Sequence, residues 1–116
     1  MAYANSNKQL RKVLDLGGQV GGSLWVLDGV DAVASVDTIS YITDGNAAGY
    51  NFRKGDILIY RRWTTTIPTA DSEIITAAGT ANILLGVQLY TVIGVAATTG
   101  LPDLTDGTAI SVTNTD

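Results

Sequence analysis

The sequence predicts an all-β chain, mainly antiparallel: a compact small β-barrel or sandwich with one short helix and an extended N-terminal arm. Three observations predict it. Tyr50–Tyr60 sets a tight Lys54-Gly55-Asp56 turn directly before a β-branched and aromatic run. Gly55 can take the positive φ such a turn needs, and Asp56 can hydrogen-bond its own backbone where the strand starts. Ser23–Leu27 and Asn82–Ala97 are apolar stretches rich in valine, isoleucine and leucine, without helix caps, which is the composition of buried strands. Turn and loop signals, Thr43-Asp44-Gly45-Asn46 and Leu101–Gly107 among them, separate the apolar runs.

Taken in order, residues 1–16 form the arm and residues 17–116 a single β-rich domain. Leu10, Val13, Leu14 and Leu16 fit either one helical turn capped by Ser6 or an extended arm that ends in a short strand, and the strand is favoured. Gly17–Gly22 lacks the spacing and the following helix of a dinucleotide-binding loop and reads as a flexible bend. Ser23–Leu27 is a strand, turned by Asp28-Gly29. Asp31 then caps a short helix over Ala32–Ile39, where Val33, Val36 and Ile39 recur at helical spacing. Thr43–Asn46 is a turn and Asp56–Trp63 a strand. Thr64–Ser72 is a polar, proline-interrupted loop, and Glu73–Thr76 pairs briefly. Asn82–Ala97 makes one long strand or two short ones, bent or bulged at Gly86 and Gly94. Leu101–Gly107 is a loop, and Thr108–Thr113 is the last strand. The total is about five to seven strands.

Composition narrows function by exclusion. A chain of 116 residues is one domain, large enough to bury a core without disulfides or a metal. It contains no cysteine and no histidine, which removes thiolate chemistry and the commonest general base and metal ligand. No stretch reaches the roughly 18 consecutive apolar residues of a membrane span. The polar start, Met1–Lys8, has no apolar signal core. The expectation is a soluble chain that binds no membrane. Lys8, Arg11 and Lys12 stand in the first twelve residues without an acid, whereas the rest is strongly acidic and the net charge is −4. A basic arm therefore precedes an acidic body, suited either to solvent or to an acidic protein surface. Nucleic acid is not expected, because three cations release few counterions and the body repels phosphate.

No residue pattern marks a catalytic, cofactor or metal site. Asp28, Asp31 and Asp37 lack the alternation of a calcium loop, and turn and cap roles account for Asp28 and Asp31. No serine stands in a nucleophile context. Arg61-Arg62-Trp63 is more informative. The two arginines point to opposite faces of a strand, and arginine and tryptophan are the residue types most enriched at interface hot spots. The alternative is an edge strand protected by charge. Trp25, Trp63 and Tyr50 could also form a sugar platform, with core packing the default for Trp25. Expected partner-binding residues are Lys8, Leu10, Arg11, Lys12, Arg61, Arg62 and Trp63. Trp25, Leu27 and the 82–97 run offer more apolar surface than a small domain buries alone, which predicts a homo-oligomer, a trimer or a dimer.

Several segments together resemble a family of short virion proteins of tailed bacteriophages. They are Gly21-Gly22-Ser23-Leu24-Trp25-Val26, the alanine- and valine-rich Asp31–Val36, Tyr41-Ile42-Thr43-Asp44-Gly45 and Arg53-Lys54-Gly55-Asp56-Ile57-Leu58-Ile59, with Tyr90–Ala97 as a valine-rich strand near the C-terminus. The resemblance spans residues 17–60 and, more loosely, 85–113. The 61–84 region departs from the shortest members. It implies a non-enzymatic structural protein that decorates and stabilises a capsid by bridging major capsid subunits. Such a protein is made in the host cytoplasm and placed on the virion exterior, with the major capsid protein as partner. A head- or tail-fibre module that binds a receptor or glycan is the alternative.

Overall fold

The computed structural model describes residues 9–15, 22–38, 41–77, 79–80 and 82–113. It confirms a small, mostly β fold: one six-stranded mixed sheet and one short helix. The strands are β1 (Leu10–Leu14), β2 (Leu24–Gly29), β3 (Ile57–Trp63), β4 (Leu84–Val95), β5 (Pro102–Leu104) and β6 (Thr108–Ile110), with helix α1 at Val33–Val36. They pair in the order β1-β2-β3-β4-β5, and β6 also pairs with β4. Every pairing is antiparallel except β2 with β3. A parallel pair needs a long crossover, and residues 30–56 supply it.

The turn before β3 forms as its residues dictate. Gly55 has φ +91°, and a Cβ there would meet nothing within 4 Å, so glycine is required by backbone conformation and not by space. Gly55 and Asp56 also exchange backbone hydrogen bonds with Val92 on β4 at 2.8 Å, which fixes the turn to the sheet. The bulges fall beside the glycines of the long apolar run. Leu85 and Ile93 are the extra residues where the register shifts against β3 and β5.

Several expectations are corrected. Asp28 and Gly29 do not turn the chain but continue β2, paired with Arg61 and Arg62. A Cβ at Gly29 would lie 2.8 Å from the Tyr60 hydroxyl, so the close approach of that ring requires glycine. Helix α1 is a single turn, begun at Ala32 without a side-chain cap. Asp31 is otherwise engaged: its carboxylate accepts from the Tyr41 hydroxyl and its carbonyl from the Tyr60 hydroxyl. Ile39 and the Gly17–Gly21 bend lie outside the described residues. Glu73–Thr76 makes no strand; Asp71–Glu73 is a 3-10 turn, closed by hydrogen bonds from the Thr69 and Ala70 amides to the Glu73 carboxylate. Part of the expected 101–107 loop is β5, where Pro102 sits at the first position of an outer strand and needs no amide donor.

One face of the sheet carries the core. Leu10, Trp25, Leu27, Leu58, Tyr60, Tyr90, Val92 and Leu104 meet Val36, Ile42 and Phe52 of the crossover. Trp25 stacks on Phe52 at 4.2 Å between ring centroids and receives the edge of Tyr50. Among the described residues no helix is long and apolar enough to cross a membrane.

Candidate functional site

The second face of the sheet holds the candidate site. By register and alternation it presents Leu14, Leu24, Val26, Ile57, Ile59, Val87, Leu89 and Ile110, with Arg11, Asp28, Arg61 and Trp63 at one end. Residues that sequence reasoning treated separately meet there. Arg11 from β1, Arg61 and Trp63 from β3, and Asp28 from β2 form one cluster. The Asp28 carboxylate is buried and accepts four hydrogen bonds. Arg61 donates through Nε at 2.6 Å and its terminal nitrogen at 2.8 Å, Arg11 at 2.9 Å, and Trp63 Nε1 at 3.2 Å. Burial alone would push this carboxyl up, but the donors Arg61, Trp63 and Arg11 outweigh it and hold the group below its ordinary value. With its acceptor sites filled, Asp28 grips two cations and has no capacity to take a substrate proton without losing a bond. The Arg61 guanidinium also lies over the Trp63 ring, 5.5 Å from its centroid. The loop after β3 leans over this end and leaves a cleft of about 210 Å³, with Pro68, Thr69, Ala70, Asp71 and Ile74 facing the two arginines and Asp28.

The other expected partner-binding residues go elsewhere. Leu10 is buried in the chain's own core, so it is a packing residue and not a presented one. Trp63 is likewise almost fully buried. Lys12 lies over the Trp25 ring at 4.9 Å and pairs with Asp15 at 3.7 Å. Arg62 turns away from Arg61, as adjacent strand residues must, and its Nε is buried. Lys8 lies outside the described residues. Trp25 and Leu27, expected to support self-association, are fully buried. Sequence reasoning missed Asp28, because Asp-Gly looks like a turn, and it missed the open aliphatic face. The period-two spacing of Ile57 and Ile59 was the available signal for that face.

A second buried carboxylate, Asp56, accepts from the Ser23 and Arg53 amides at 3.1 and 3.0 Å and from Trp25 Nε1 at 3.1 Å. The buried phenols of Tyr60 and Tyr90 and the half-buried one of Tyr41 are all pushed up, first by burial and then by the neighbouring carboxylates of Asp31 or Asp37, so they stay protonated at neutral pH. Among the described residues no group of three or more potential metal ligands comes together. No family model, no curated protein and no solved structure matches the chain.

Proposed function

We propose that this chain is a structural virion protein of a tailed bacteriophage, one that decorates the capsid and stabilises it by bridging major capsid subunits. The observation that carries the reading is the convergence of Arg11 and Arg61 on one end of the sheet. The side chains of Arg11 and Arg61 are about a third exposed, at 39% and 33%, while the carboxylate that holds them is buried. The two arginines are therefore rigidly presented at this end of the sheet, a preorganised contact for an acidic shell surface. The attribution to a phage rests on the resemblance over residues 17–60.

The physical mechanism is linkage. A protein that binds assembled shell and not dissociated subunits stabilises the shell by mass action, and many copies on a lattice multiply weak contacts. The test is thermal release of DNA from particles with the protein, without it, and after adding it back. Release at a lower temperature without the protein, restored by add-back, is the expected result. Equal release temperatures with lost adsorption to host cells would replace this reading with receptor binding.

A further inference from the structure

Independently of the shell-binding reading, we propose that the open aliphatic face binds a second copy of this chain, sheet against sheet, as a two-fold homodimer. The crossover covers only one face of the sheet. On the other, Ile57 is 40% exposed, Leu89 38%, Ile93 54% and Ile110 46%, and Leu24, Val26, Ile59 and Val87 are only half-buried. Ile57, Ile59 and Leu89 lie side by side across β3 and β4, and Val87 faces Ile110 across β4 and β6. The patch is therefore continuous.

Its size fits this occupant. Allowing for partial exposure, these side chains present on the order of 400 Å² of aliphatic surface. One side of a stable interface is about 800 Å², with a little over half of it apolar. The patch thus supplies the apolar share of one partner's half. An identical sheet has the identical twist, so two such faces can pack as the layers of a sandwich.

Charge points the same way. The chain carries a net −4, but the middle of this face carries none. Its charged residues lie at the margins. Arg11, Asp28 and Arg61 occupy one end, with Asp71 of the loop across the cleft, and Asp103 lies at the diagonally opposite corner, on β5 opposite Gly94. A two-fold axis between the sheets, crossing the strands obliquely, keeps the two arginine ends apart and at the rim of the interface.

Sedimentation of the full chain across the micromolar range tests the proposal. The wild type should dimerise. Ile57→Lys and Ile93→Lys, both at exposed positions, should each raise the dissociation constant at least about tenfold by burying an unpaired charge, with an unchanged far-UV spectrum. The chain has no cysteine, so Leu89→Cys places a single thiol mid-face. Its alkylation by a maleimide should slow in step with the dimer fraction. A monomer throughout the range, another stoichiometry, a dimer indifferent to both lysines, or a thiol protected only when assembled shells are added would each overturn it.

Discussion

Asp56 sits at the foot of β3 and Asp28 near the top of β2, and each accepts the indole N–H of a tryptophan. There the likeness ends. Asp56, 0% exposed, is held by uncharged N–H donors. Two of these are backbone amides, and one, that of Ser23, comes from the residue just before β2. Asp28, 1% exposed, is held by the Trp63 indole and by two guanidinium groups on partly exposed side chains. The first arrangement joins backbone to backbone and fixes how β2 and β3 lie alongside each other. The second joins a buried anchor to a surface. The same pair of residue types thus serves architecture at one end of the sheet and presentation at the other. What decides between them is whether the donors can return to water when the carboxylate is removed.

The largest effect should come from Asp56→Ala. It strands the buried Ser23 amide and Trp25 indole N–H and the part-buried Arg53 amide, so stability should fall by about 4 kcal/mol, measured by urea unfolding at neutral pH. If Asp28→Ala proved the costlier substitution, the assignment of architecture to Asp56 would be wrong. Asp28→Asn should cost less, about 2 kcal/mol at neutral pH, because Arg11 and Arg61 can turn outward. Its sharper signature is in pH dependence. Folding holds the Asp28 carboxyl below its ordinary value, so the stability it contributes is complete above the unfolded aspartate pKa of about 3.9 and is lost as pH falls through the folded value. Unfolding measured from pH 7 downward should show Asp28→Asn converging on the wild type below about pH 4. A constant gap would break the link to titration. Arg11→Ala should be the mildest, under about 1 kcal/mol and smaller still in high salt, since the group is partly exposed and Arg61 remains on the carboxylate.

How much of this was legible in the sequence follows the same division. The Asp56 end was readable, because its determinants are local: Gly55 must turn, Asp56 must follow, and a β-branched run must begin. Strand β3 and the bulges beside Gly86 and Gly94 came from the same kind of signal. The Asp28 end was not readable as a site. Arg11, Arg61 and Trp63 were each singled out by residue type, but their common partner was assigned to a turn. Asp28 meets residues 17, 33 and 35 positions away, and no local pattern encodes a meeting at that range. Strand β2 ended too early for the same reason, since Asp-Gly reads as a turn unless Tyr60 is known to lie over the glycine. The helix was expected too long because valine spacing alone does not show that Asp31 is occupied by Tyr41 and Tyr60. The segment read as an arm contains β1, whose Leu10 completes the core.

The parallel pairing of β2 with β3 also has a consequence for how the chain is made. β4 and β5 are joined by a short connection and can close in microseconds once both exist. β2 can pair early with β1, but that covers only one of its two edges. It leaves the ribosome apolar on both faces and must wait for the whole crossover and β3 to follow, roughly a few seconds at ordinary rates of synthesis. During that wait the β3-facing edge of Leu24-Trp25-Val26-Leu27 is unpaired and uncharged, joined to its partner only across a long loop whose closure is slow. The most exposed moment in the life of this protein is therefore during its synthesis, before the sheet exists.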